Sequence, residues 1–112
     1  MSGGVGATGR DGTSAEVREL RQYFRALSGP LQLRLVHELA MQGEMGVSQL
    51  VTALRVSQPL VSWHLSFLKR VGLIRIRRAG RQVYCSLDRH RFKYYESLLA
   101  TFLGETLGSE AT

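Results

Sequence analysis

Apolar residues recur along this chain at helical spacing, except in one stretch where they alternate with polar ones. Val17, Leu20, Phe24 and Leu27 predict a first helix from about Ser14 to Leu27, with Glu16, Arg18, Glu19, Arg21 and Arg25 outside. Leu31, Leu35, Val36 and Leu39 predict a second, opened by Pro30 and stopped by Gly43. Leu50, Val51 and Leu54 mark a short third helix over Ser48 to Leu54, and Val61, Leu65 and Leu68 a fourth. The fourth has its limits written in: Ser57 can cap it, Pro59 is tolerated in its first turn, and Gly72 suits the left-handed residue after its end. Leu73 to Arg78 and Arg81 to Leu87 alternate as two strands joined across Ala79-Gly80. Ala79 suits the positive φ of a type I′ turn poorly, so a slightly longer loop through Arg78 and Arg81 is expected. Phe92, Tyr95, Leu98, Leu99, Phe102 and Leu103 predict a last helix from about Asp88 to Leu103.

Only Arg55 and Val56 separate the third and fourth helices. Two helices at so tight a turn form a helix-turn-helix, whose second member is the reading helix of DNA-binding proteins. Val56 and Val61 stand at the positions of a hydrophobic staple, which would fix how the chain turns into that helix. The face away from the buried stripe carries Gln58, Ser62, Trp63 and Ser66 and contains no acid, so it can approach phosphate without repulsion. Trp63 has two readings: contact in a DNA groove, or packing between helices.

Charge placement sharpens this picture. The chain has 15 Lys+Arg against 9 Asp+Glu. Residues 69–93 hold nine of those bases and one acid, which leaves the rest of the chain slightly acidic. A charge gathered on a hairpin beside a reading helix is an electrostatic footprint for a polyanion. A membrane surface fits less well, because the basic stretch is a hairpin and not an amphipathic helix. Lys69, Arg75, Arg77 and Arg81 are therefore the candidates for phosphate or minor-groove contacts, which position without specifying. Gln58, Ser62 and Trp63 are the candidates for sequence choice.

The runs Leu-Ser-Gly-Pro-Leu-Gln-Leu-Arg-Leu-Val at 27–36 and Val-Ser-Gln-Pro-Leu-Val-Ser-Trp-His-Leu at 56–65 are followed by Gly-Leu-Ile at 72–74 and Gly-Arg-Gln-Val-Tyr at 80–84. In that order they resemble the ArsR/SmtB winged-helix repressors, over about residues 15–103. The resemblance implies an α+β, mostly α, winged helix-turn-helix of order ααααββα. It also implies a homodimeric repressor that leaves a pseudo-palindromic operator when an effector, often a metal ion, binds. By the same match Gln58, Pro59, Ser62 and Trp63 would face base edges, with Arg78 and Arg81 at the wing.

Asp88-x-His90 is similar to half of an interfacial metal site found in some members of that family. The other half is missing, because Thr101 and Gly104 stand eleven and fourteen residues beyond His90 and neither ligates a transition metal well. Two ligands do not fill a tetrahedral site, so a helix-capping Asp88 and a solvated His90 are the favoured reading. Nickel or zinc is the cofactor to consider if the site is completed. The cysteine site that other members place before the reading helix is absent here, where Gly46 and Ser48 stand. Control by a small molecule, a redox signal or an effector-binding partner protein is then the alternative.

His37 and His64 are read as packed or hydrogen-bonded residues, and the single Cys85, alternating with Val83 and Leu87, as a buried strand thiol. No nucleophile, base and orienter are placed by spacing to meet, which argues against an enzyme. A protein-binding winged helix is a third possibility, and the basic wing argues against it.

At 112 residues the chain is expected to form one domain over 14–104, flanked by tails at 1–13 and 105–112. The first tail is glycine-rich, and its Gly4, Gly6 and Gly9 spell a nucleotide-binding spacing with no strand before it. No stretch approaches the roughly 20 apolar residues of a membrane span, and a reducing cytoplasm is the default location. The last helix carries more apolar surface than one small domain covers, so the first and last helices are the expected dimer interface, through Leu20, Phe24, Phe92, Tyr95, Leu99 and Phe102.

Overall fold

The computed structural model describes residues 3–105, with side chains from Ser14 onward. Its order is α1 (Gly3–Ala26), α2 (Pro30–Gln42), β1 (Met45–Gly46), α3 (Val47–Leu54), α4 (Gln58–Arg70), β2 (Ile74–Ala79), β3 (Gln82–Leu87) and α5 (Arg89–Phe102). Five helices and the β2–β3 hairpin follow the sequence expectation. Strand β1 is an addition to it: two residues carry no periodicity, and Met45 and Gly46 become a strand only by pairing with Cys85 and Tyr84 of β3. The sheet is antiparallel, in the order β1-β3-β2.

The core lies where α2, α3 and α4 meet one face of this sheet. Leu35, Leu39, Leu50, Val61, Leu68, Leu73 and Cys85 are fully enclosed there. Each large aliphatic chain so buried contributes about 1.5–3 kcal/mol relative to exposure. Side chains alternate across a strand, so Ile74, Ile76 and Arg78 share the face toward α4 while Arg75 and Arg77 share the other. The register aligns Ile76 with Cys85 and Cys85 with Met45, which draws one inward row across all three strands, buried at Met45 and Cys85 and partly buried at Ile76.

Helix α1 begins at Gly3 and not near Ser14. Residues 3–13 therefore take helical backbone where a tail was expected. Their glycines each cost about 1 kcal/mol in a helix, but no proline is present to stop it. The Gly4, Gly6, Gly9 spacing thus falls within a helix, not between a strand and a helix. Residues 1–2 and 106–112 lie outside the described residues. On α1 the buried positions are Leu20, Tyr23 and Ala26, whereas Val17 and Phe24 remain about half exposed. Among the described residues no helix is long and apolar enough to cross a membrane.

Candidate nucleic-acid interface

Local signals set the reading helix α4 in place at both ends. Ser57 is the N-cap and its hydroxyl accepts from the Leu60 N–H at 3.4 Å. At the other end the Gly72 N–H donates to the Lys69 carbonyl and the Leu73 N–H to the Leu68 carbonyl, both at 2.9 Å. These two bonds form a Schellman ending, which needs the left-handed residue that Gly72 supplies at φ 81°. Val56, partly buried against the core, holds the staple position ahead of the cap.

The turn between α3 and α4 uses a less common device. Arg55 adopts the left-handed conformation, φ 58° and ψ 44°, at a cost of roughly 1–2 kcal/mol for a side chain other than glycine. Arg34 of α2 donates to the Leu54 carbonyl at 3.0 Å, so a carbonyl left open at the end of α3 is satisfied from a residue twenty positions earlier. That bond ties the angle of the helix pair to the body of the protein. Nothing local announces it.

A cleft of about 480 Å³ runs between α4 and the hairpin. Gln58, Ser62, Ser66 and Lys69 line it from α4, Arg78, Arg81 and Gln82 from the hairpin, and Ser48 from α3. Gln82 and Ser48 were not among the residues expected from sequence. Gln82 could have been found from its place beside the turn, whereas Ser48 reaches the cleft only because α3 packs on α4. Lys69, Arg78 and Arg81 form no ion pair among the described residues, and α4 contains no acid. The cleft therefore offers hydrogen-bonding groups mainly from α4 and unpaired positive charge from both walls, Lys69 on α4 and Arg78 and Arg81 on the hairpin.

The hairpin tip is tighter than expected. Ala79 pairs with Gln82, so only Gly80 and Arg81 form the loop. Gly80 has φ 62° and Arg81 does not have a positive φ, which meets the requirement of a type II′ turn and not of type I′. The register shifts glycine into the one position that needs it, so Ala79 closes the strand pair instead of sitting in the loop.

Two of the expected phosphate contacts are otherwise engaged. Arg77 makes a forked ion pair with Glu44, at 2.8 and 3.0 Å, and lies over the Tyr84 ring with 4.5 Å to its centroid. Arg75 pairs with Asp88 at 3.2 Å. Both occupy the strand face turned away from the cleft, the alternate positions to Arg78. The hydrogen bond from Arg77 holds the Glu44 carboxyl below its usual range.

Trp63 is not packed between helices. It is 58% exposed, and its ring is braced edge-on by Phe67 and His64 of its own helix, at 4.8 and 5.1 Å between centroids. Pro59 is likewise exposed, at the first turn of α4. Gln58, Ser62 and Ser66 thus face the cleft while Trp63 stands beside it.

The possible metal ligands do not assemble within one chain. Asp88 caps α5, one oxygen accepting from the Arg91 N–H at 3.1 Å and the other from Arg75. These bonds, the Arg91 one foremost, hold its pKa below the ordinary carboxylate value. His90 is exposed. Among the described residues no three His, Cys, Asp or Glu side chains gather as a metal site. His37, expected to be packed, is exposed on α2, and His64 is partly buried with no partner for Nδ1. Cys85 is fully buried, and burial pushes its thiol up to about 11.

The expected interface residues divide. Leu20, Phe24, Leu99 and Phe102 line an apolar groove of about 440 Å³ between α1 and α5. Of these only Phe24 and Phe102 are well exposed, Leu20 being as buried as Tyr95, which is spent inside the chain: it stacks on Tyr23 and its hydroxyl donates to the Val71 carbonyl. Phe92 packs against the core and meets Tyr23 edge-on. The sequence shows an apolar face on α5 but not which of its residues the protein's own α1 covers.

Comparison with known proteins agrees with this geometry. The profile described as "Bacterial regulatory protein, arsR family" matches residues 29–75. The chain is 38% identical over 84 residues to the "Transcriptional repressor SmtB homolog" of Synechocystis sp., a match covering 74% of this chain and 63% of that protein. To the "Cadmium resistance transcriptional regulatory protein CadC homolog" of Staphylococcus aureus it is 31% identical over 75 residues, covering 67% and 62%. The matched stretch spans less than two thirds of either relative. A solved structure titled "Possible transcriptional regulator for arsenical resistance" superposes with a TM-score of 0.63 at 30% identity, covering 70% of this chain and 81% of the other. The chain belongs to the arsR family of bacterial regulatory proteins, and its architecture is a winged helix-turn-helix. The family is one of transcription regulators and not of enzymes.

Proposed function

We propose that the protein is a transcriptional repressor that binds a pseudo-palindromic operator as a homodimer, with α4 in the major groove and the hairpin as its wing. One observation carries this reading: an acid-free reading helix and a hairpin with unpaired arginines form the two walls of one cleft. Gln58 and Ser62 serve base recognition, while Lys69, Arg78 and Arg81 meet phosphate. Twofold pairing would set the two reading helices about 34 Å apart, one turn of the duplex. The apolar groove in which Val17, Phe24 and Phe102 stay exposed above Leu20 supports pairing through α1 and α5, since exposed apolar surface of this kind marks association. A DNA-binding regulator of this class works in the cytoplasm.

The direct test is operator selection from random duplexes followed by affinity measurements. Gln58→Ala should lose about 1–3 kcal/mol at one base pair and little elsewhere. Uniform weakening on all sequences would remove Gln58 from base recognition, and no selected sequence at all would overturn the reading. Phe102→Asp should yield monomers by analytical ultracentrifugation and weaken operator binding.

The relatives' names, cadmium and arsenical resistance among them, make a metal ion the first effector class to test. Nickel, zinc and cobalt titrated into the dimer should release the operator if a metal acts here, and His90→Ala should then weaken the response. The engagement of Asp88 with Arg91 and Arg75 favours a second reading, in which this chain supplies the DNA grip and a small molecule, redox signal or partner protein supplies control. Absence of any metal effect at micromolar concentration selects that second reading.

A further inference from the structure

At 3.6 residues per turn, Val61, Leu65 and Leu68 define the buried side of α4, and Trp63 falls almost opposite them. No other side chain of the helix larger than serine or proline points so directly away from the core without carrying a charge. Its surroundings hold the ring and do not cover it. Phe67 lies one turn below and His64 beside it, both edge-on, and the Ser66 hydroxyl donates its hydrogen back to the Trp63 carbonyl at 2.5 Å, leaving its oxygen able to accept. Leu60, also exposed, stands one turn above. The indole N–H has no hydrogen-bond partner among those found in the described residues. The protein thus holds its only tryptophan on the outer edge of the reading helix, with an apolar rim and one donor presented together.

We infer that Trp63 is a specificity-determining residue that selects thymine in the half-site. The inference rests on the proposed DNA-reading role of α4. In the major groove thymine presents a C5 methyl and, next to it, the O4 acceptor. Indole offers the matching pair: an apolar ring edge for the methyl and an N–H for O4. Cytosine fails on both counts, since it lacks the methyl and presents an amino donor where the indole also donates. Guanine offers acceptors but no methyl. The bracing by Phe67 and His64 adds what a flexible side chain would lack, because little freedom is left to lose when the ring docks.

The experiment uses the full chain and a duplex it has itself selected. Each thymine is replaced in turn by deoxyuridine, which removes the methyl alone, and by 5-methylcytosine paired with guanine, which keeps the methyl and reverses the hydrogen bond. At one position per half-site deoxyuridine should weaken binding about fourfold, the effect of one methyl-sized group of buried surface, and 5-methylcytosine should weaken it more. Both penalties should disappear in Trp63→Ala, while Trp63→Phe should retain the deoxyuridine penalty and lose most of the other. Trp63 is exposed, so both variants should keep the native circular dichroism spectrum. Its fluorescence, the only tryptophan signal of the protein, should change when the cognate duplex binds. If a sequence is selected but every deoxyuridine penalty is the same in wild type and Trp63→Ala, the thymine assignment is overturned and the repressor reading stands. If no sequence is selected, the repressor reading itself fails.

Discussion

The Tyr95 ring lies flat on that of Tyr23, with centroids 4.5 Å apart and planes 14° from parallel, so that α5 is fastened to α1 inside one chain. The Tyr95 hydroxyl donates to the Val71 carbonyl at 3.1 Å and thereby ties the end of the reading helix to the same joint. Tyr95→Phe should cost about 0.5–1.5 kcal/mol by urea denaturation, the net value of one hydrogen bond, and leave the oligomeric state unchanged. Phe102→Asp should do the opposite. A Tyr95→Phe variant that dissociates without losing stability would return Tyr95 to the interface.

Arg81 and Arg77 should differ in their response to salt although both are hairpin arginines. Arg81 is unpaired at the turn, so Arg81→Ala should reduce the slope of log K against log salt by about 0.9. Arg77 is already neutralised by Glu44, and Arg77→Ala should leave the slope as it is. Equal changes in the two slopes would mean that the ion pair opens when DNA binds.

Gly72 and Gly80 both have positive φ, but only Gly72 is crowded. A Cβ at Gly72 would come within 2.9 Å of Arg91 Nε, whereas one at Gly80 would meet open space. Gly80→Ala should cost roughly 1–2 kcal/mol for the backbone alone, and Gly72→Ala more, because Arg91 must also move. Urea midpoints rank the two, and a smaller loss at Gly72 would contradict the packing described.

Asp88 makes stability depend on pH at the acid end. Its folded pKa lies below the ordinary carboxylate value, so its stabilisation is complete above that value and is lost as pH falls through the folded pKa. Asparagine also caps helices but does not titrate there. The melting-temperature advantage of wild type over Asp88→Asn should therefore shrink as pH is lowered from neutral through the acid range. An advantage constant over that range would show that Asp88 is not the titrating group.

Cys85 should resist alkylation. A buried thiol with a pKa near 11 carries little thiolate at pH 8, so iodoacetamide should label the native protein far more slowly than the urea-unfolded chain. Comparable rates would place Cys85 at the surface and reopen a redox role.

Much of this architecture was legible in order along the chain, because its signals are local. Ser57, Pro30, Gly43 and Gly72 act on the residues next to them, and the stripes of α2, α3 and α4 depend only on helical spacing. The wing arginines and the acid-free reading helix were visible for the same reason. Tertiary structure decided what depended on distant partners. Met45 and Gly46 became a strand because β3 lay beside them, Arg77 was engaged by an acid 33 residues away, and Arg34 of α2 bonded the carbonyl at the end of α3. Which side of α5 turned inward was settled by Tyr23, and the outward stance of Trp63 by how α4 laid its aliphatic stripe on the sheet. Spacing along a chain tells which residues share a face; only packing decides which face is covered and which charge is left free.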